Sequence, residues 1–239
     1  MANHLNSLIF GIYPYIALVV LVVGSIIRYD REPYSWRAGS TQLLRRKQLI
    51  MGSVLFHVGI LIVLFGHLVG LLTPIALFDM LGISHSFKQM MAIVVGGTAG
   101  GLALIGATLL VHRRLADARV RATSSFADTA IIIILWIQLV LGLLTIPISM
   151  GHLDGHEMVK FMSWALGIFT FDTNATSHVA SANPVFKLHI FLGLTLFVLF
   201  PFTRLIHMLS APVRYFWRPG YQIVRTKARA ARARTGAPA

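Results

Sequence analysis

The chain has ten histidines and no cysteine, so imidazole is its main side chain for holding a soft metal. Four of the ten, His57, His67, His189 and His207, lie inside long apolar runs. His4, His85, His112, His152, His156 and His178 fall at the ends of such runs or in loops. An ionisable group within a membrane-length apolar run is costly and marks a candidate functional position. The bland alternative for any one of them is a hydrogen bond to a neighbouring helix. The lack of cysteine excludes disulfides, cysteine-ligated zinc, iron–sulfur clusters and covalent haem attachment through C-x-x-C-H. Two imidazoles facing each other across a gap can instead take both axial positions of a haem iron. That leaves no open coordination site and favours electron transfer over oxygen chemistry. Zinc fits less well, because a pair of histidines is too few ligands.

The elements that must position these residues follow from composition. Of 239 residues, 56% are hydrophobic and 12% charged, with a net charge of +13. An ordinary soluble domain carries roughly 25% charged residues, and disorder requires low hydrophobicity. Five runs approach the roughly 20 apolar residues that a membrane helix needs. They are Leu8 to Ile27, about Gln48 to Leu72, about Met90 to Val111, about Asp128 to Ile146, and about Pro184 to Met208. The first is read as a retained span, because no Lys or Arg precedes it and Arg28-Tyr29-Asp30-Arg31 follows it. Pro147 is expected to stop the fourth. Between the fourth and fifth, Met158, Phe161, Met162, Trp164 and Ala165 fall on a helical stripe, which predicts a short interfacial helix. The expected fold is an all-α membrane protein, a five-helix transmembrane bundle over residues 1–215 followed by a basic tail over 216–239.

Charge orients the bundle. Eighteen of the 21 lysines and arginines fall in the loops after the first and third runs and in the tail from Arg204 to Arg234; three (Lys88, Lys160, Lys187) fall on the other side. The positive-inside rule then places the N-terminus outside and the C-terminus in the cytoplasm. It also makes the second and fifth spans antiparallel. If they are neighbours, His57 meets His207 towards the cytoplasm, and His67 meets His189 towards the outside. On straight helices the two histidines of the second span are separated by roughly 15 Å, and those of the fifth by roughly 27 Å. The mismatch has no explanation at the level of sequence. Gly52, Gly59, Gly66 and Gly70 recur beside the second-span histidines. They either make room for a macrocycle or serve as small-residue helix contacts.

Several segments resemble the gamma subunit of membrane-bound respiratory nitrate reductase. They are Tyr13-Pro14-Tyr15 with Gly24-Ser25, Arg28-Tyr29-Asp30 and Ser35-Trp36-Arg37-Ala38; Leu55-Phe56-His57-Val58-Gly59-Ile60-Leu61 and Gly66-His67; Arg119 to Thr123 and Leu141 to Pro147; and Leu188-His189 with Leu199 to His207. The resemblance runs from about Ile9 to Tyr215 and keeps the order and spacing of all four histidines. It implies a cytochrome b with two b haems, ligated by His57 with His207 on the cytoplasmic side and by His67 with His189 on the periplasmic side. It further implies a quinol site beside the outer haem that includes Lys88, with Gly66 and Gly70 as candidate quinol-side contacts. The chain has Met90 where the family often has a second lysine. For Lys88 the structural alternative is a cation snorkelling from a helix end.

The function so implied is oxidation of menaquinol or ubiquinol near the periplasmic face. Electrons then pass through both haems to a cytoplasmic iron–sulfur beta subunit and a molybdenum-cofactor alpha subunit, which reduces nitrate to nitrite. The chain would anchor that complex in the inner membrane. Arg204 is a candidate partner for a haem propionate, or else a positive-inside anchor. The tail from Arg214 to Arg234 is expected to contact partner subunits or anionic lipid, with no role for nucleic acid. The alternatives are the haem b quinone subunit of a related complex, such as a sulfite or heterodisulfide reductase-type system, or a transporter or scaffold with structural histidines.

Overall fold

The computed structural model describes residues 2–36, 41, 43–210 and 217. Arg37 and the tail, apart from Trp217, lie outside the described residues. Residues 1–207 form one compact unit, and a second begins at Met208. The described elements are helical throughout, and five helices are long and apolar enough to cross a membrane: His4–Arg31, Arg46–Leu72, His85–Ala116, Phe126–Met150 and Pro184–Phe202. Each is called a span below, numbered in chain order. Three of the spans start where the sequence supplies a cap for otherwise unpaired amide donors. Ser84 accepts from the Phe87 amide at 3.2 Å, Ser125 from Asp128 at 3.1 Å and Asn183 from Val185 at 3.0 Å, at the heads of the third, fourth and fifth spans.

The spans pack side by side in the order two, three, four, five, one. The tightest seam joins spans two and three. A methyl added at Gly59 would lie 2.4 Å from the Ala99 carbonyl oxygen, and one at Gly106 would lie 2.3 Å from the Phe56 amide nitrogen. Only glycine permits that backbone approach. In the glycine-rich stretch of span three, Gly97 and Gly100 instead face Ile146 and Leu143 of span four.

Two expectations need correcting. Pro147 lies inside span four, which continues to Met150. Lipid offers the backbone no water to bond to, so a helix keeps its own ladder, and hydroxyls in the affected turn help to satisfy it. Pro147 removes the amide that would bond the Leu143 carbonyl, and the neighbouring Gly142 carbonyl takes an added bond from the Thr145 hydroxyl at 2.6 Å. Span five does not run unbroken to Met208. Its α-helix ends at Leu199, a 3₁₀ turn covers Phe200–Phe202, Thr203 is extended (φ −122°, ψ −178°), and a separate 3₁₀ segment, Arg204–Ser210, carries His207. Pro201 removes one amide from the ladder where the α-helix gives way to the 3₁₀ turn. The straight-helix rise between His189 and His207 therefore does not apply.

The helix expected between spans four and five is present as His156–Phe169, with Met162, Trp164, Ala165 and Ile168 buried. It packs into a core with Phe10, Ala17 and Leu194, and its Trp164 indole donates to the Phe10 carbonyl at 2.9 Å. That carbonyl sits in a π-turn, Leu8–Ile12.

Candidate functional site

The four intramembrane histidines form two facing pairs. The His57 and His207 ring centres lie 6.2 Å apart with planes at 68°, and those of His67 and His189 lie 6.1 Å apart at 45°. These are the pairs that charge and helix direction led to. The expectation that spans two and five are neighbours takes a particular form. Span five packs on spans four and one, and span two packs on span three, so the two come together across the bundle through their histidines.

Three of the four imidazoles are held through Nδ1. His57 Nδ1 lies 2.7 Å from the Ser53 carbonyl oxygen, His67 Nδ1 lies 2.8 Å from that of Val63, and His207 Nδ1 bonds the Arg204 carbonyl. A carbonyl only accepts, so in each case Nδ1 carries the proton and Nε2 is left with its lone pair. That is how metal-binding histidines are generally oriented. His189 differs: its Nδ1 is buried with no hydrogen-bond partner. Its ring rests on Gly142, where a methyl would lie 3.0 Å from Cε1.

The separations test what such a pair can hold. Two metal–imidazole bonds of about 2.0 Å each, plus about 1.1 Å from each nitrogen to its ring centre, give roughly 6.2 Å. Both centre-to-centre distances are of the size that one metal atom between two imidazoles would need. Among the described residues no group of three or more His, Cys, Asp or Glu could hold a metal ion. Two imidazoles alone are too few ligands for a bare metal ion, so a group that would fit a pair carries further ligands of its own, as haem does.

The glycines separate into two kinds. Gly52 and Gly59 are seam contacts against span three, whereas a methyl at Gly66 or Gly70 meets nothing within 4 Å. The two glycines nearer His57 are thus used in packing, and the two nearer His67 have open space around them.

Lys88 is 9% exposed, so it does not snorkel to water. Its Nζ lies 4.2 Å from the centre of the Phe78 ring and 3.8 Å from Met162 Sδ. Among the described residues no hydrogen bond joins it to His67. A ring face and a thioether are weak acceptors for an ammonium, so the lysine retains donor capacity for a stronger one.

At the end of the bundle that carries the basic loops, Arg204 Nε lies 2.8 Å from Asp128 Oδ1, and Arg114 Nη1 lies 3.9 Å from Asp128 Oδ2. Arg204 is thereby fixed beside the His57–His207 pair, not directed to the membrane rim alone. Two guanidinium groups on one carboxylate leave a net positive site suited to a further carboxylate.

Sequence reasoning did not identify Gln138, Gly142, Asp128, Phe78 or the structural role of Arg28. Gln138 Nε2 donates to the His189 carbonyl at 3.1 Å. Asp128 was the most legible of them, as a lone acidic residue at the head of a span between two arginine-rich segments.

With this geometry established, similarity to known proteins narrows the reading. The sequence model for the nitrate reductase gamma subunit matches residues 6–227. The chain is similar to the respiratory nitrate reductase 1 gamma chain of Escherichia coli (strain K12), 49% identical over 225 residues, covering 94% of this chain and 99% of that one. It is likewise similar to the respiratory nitrate reductase 2 gamma chain of the same organism, 48% identical over 227 residues, with 95% and 100% covered. The nitrate reductase gamma chain of Bacillus subtilis (strain 168) is 37% identical over 213 residues, with 89% and 95% covered.

Proposed function

Because the chain belongs to the nitrate reductase gamma subunit family, we propose that it is the di-haem, quinol-oxidising membrane subunit of a respiratory nitrate reductase. The observation that carries this reading is the pair of imidazole pairs, 6.2 and 6.1 Å between ring centres. His57 with His207, and His67 with His189, would each hold one b haem through Nε2. When bound, the haems supply a one-electron path along the bundle towards the iron–sulfur beta and molybdenum alpha subunits, where nitrate is reduced to nitrite.

The chain's own residues do the rest. The carbonyls of Ser53, Val63 and Arg204 keep Nδ1 protonated and so hold Nε2 ready to ligate. Gly142 leaves room for the His189 ring. Arg204 and Arg114, sharing Asp128, offer positive charge to a propionate beside the His57–His207 pair. Lys88 exchanges its weak contacts with Phe78 and Met162 for an oxygen of menaquinol or ubiquinol, which comes alongside Gly66 and Gly70 from the bilayer. The two protons of the quinol leave on that side. With the basic loops in the cytoplasm, the side is periplasmic, and the chain anchors the complex in the inner membrane.

An optical spectrum of the purified membrane complex tests the reading. Reduced b-type α-bands and two haems per chain are expected, falling to one in His207→Ala or His189→Ala. Two haems retained in both variants would overturn the ligand assignment.

A further inference from the structure

The break in span five leaves a problem that its own backbone does not solve. With Thr203 extended, the carbonyls of Pro201 and Thr203 lose their places in a helical ladder, and they do so away from bulk water. Both are taken up by one side chain from the end of span one. Arg28 Nη1 donates to the Pro201 carbonyl at 2.6 Å and to the Thr203 carbonyl at 2.9 Å. The other edge of the guanidinium is itself held, with Nε donating to Ser35 Oγ at 3.0 Å and Nη2 to the Ser35 carbonyl at 3.1 Å. Ser35 Oγ in turn donates to the Glu32 carbonyl at 2.8 Å, so the clamp is anchored in the turn that ends span one.

One helical turn earlier, Gly24 admits the proline ring: a methyl there would lie 2.8 Å from Pro201 Cγ. Beyond the break, Leu205 and Ile206 are buried with Ile131 and Phe200, and His207 comes next. Span one thus fixes the break from one side and the Ile131 cluster fixes it from the other. The direction in which His207 leaves is set between them.

We infer that Arg28 is a positioning residue for His207: it holds the Pro201–Thr203 break at the angle that turns this imidazole to His57. A merely topological arginine at a span end would aim its donors at lipid phosphate or water; all four of these bonds point into the chain. Lysine cannot reproduce the contact, because one ammonium lacks the planar fork that reaches two carbonyls and Ser35 together. The inference rests on His207 being a haem ligand.

The experiment uses the assembled, membrane-bound complex with Arg28→Lys, Gly24→Ala and His207→Ala. Haem content, the low-spin resonance line of each haem and its midpoint potential are measured. The haem lost in His207→Ala identifies the line to follow. In Arg28→Lys both haems are retained, that line and its potential shift, and those of the other haem do not. Gly24→Ala, which pushes on Pro201 from the same helix, shifts the same line, and it carries the test alone should Arg28→Lys fail to accumulate. Unchanged lines in the variants that accumulate, or equal shifts of both haems, would overturn the positioning role and leave the ligand assignment standing. Two haems retained in His207→Ala would overturn the ligand assignment itself.

Discussion

Gln138 of span four donates its side-chain amide to the main-chain carbonyl of His189 on span five, at 3.1 Å. The bond grips the backbone of the one paired histidine whose Nδ1 has no partner of its own. Gln138→Leu removes a part-buried hydrogen bond and leaves a carbonyl to its helix alone. Thermal unfolding in detergent should show a loss of about 1 kcal/mol, with the haem of the His67–His189 pair released before the other.

The glycines of span two should respond oppositely to alanine. Gly59→Ala places a methyl 2.4 Å from a backbone oxygen that cannot yield without moving span three. Overpacking of this kind costs about 1–3 kcal/mol. Gly66→Ala meets nothing, so the fold should keep its unfolding temperature. If quinol-dependent haem reduction nevertheless slows in Gly66→Ala, the affected space is one that substrate uses.

Lys88→Ala should leave both haems bound and their reduction by dithionite intact, while slowing their reduction by quinol. Lys88→Arg keeps the charge but adds bulk between Phe78 and Met162, and should be intermediate. Stopped-flow traces at the α-bands separate these outcomes. Quinol reduction at the wild-type rate in Lys88→Ala would remove the lysine from the site.

Asp117, just past the end of span three, gives the fold an acid-sensitive joint. The Val120 amide, at 3.2 Å, is the foremost cause holding its carboxyl below the ordinary value of 3.8; the Arg119 amide at 2.9 Å and Arg45 at 2.8 Å act the same way. A carboxylate with a depressed folded value stabilises the fold above the ordinary value, and that contribution fades as pH falls through the folded one. The protection of the short helix Ala118–Ala122 against hydrogen exchange, taken relative to the intrinsic rate at each pH, should therefore be flat near neutrality and fall below about pH 4. In Asp117→Asn the helix should exchange faster at neutrality and lose that acid dependence.

The features visible in sequence are those that summed hydropathy and summed charge determine. Five spans, the antiparallel relation of spans two and five, and hence both histidine pairs follow from such sums. What escaped depends on which neighbour a residue meets. Gly52, Gly59 and Gly66 recur at heptad spacing and share a face to within about 20° per heptad. Yet only the first two touch span three, because the seam ends beyond Gly59, and Gly96 across it also has open space. Pro201 sits in an apolar run, where hydropathy averages over the break that follows it. Arg28 carries the same unit of charge as Arg31, so the bias that revealed topology hid its hydrogen bonds.

The clamp joining Arg28 to Pro201 and Thr203 spans 173 and 175 residues of chain. During synthesis the guanidinium enters the membrane with the first span, and its acceptors leave the ribosome only with the last. Spans two, three and four can associate in turn as they emerge, since each packs on its sequence neighbour. Neither histidine pair can close before the fifth span arrives. A chain interrupted before residue 189 would keep the glycine seam but leave Arg28 without its carbonyls and His57 and His67 without partners. Arrival of the fifth span and of the segment that follows it is thus the event that brings the four imidazoles face to face, and a subunit truncated before them has neither pair.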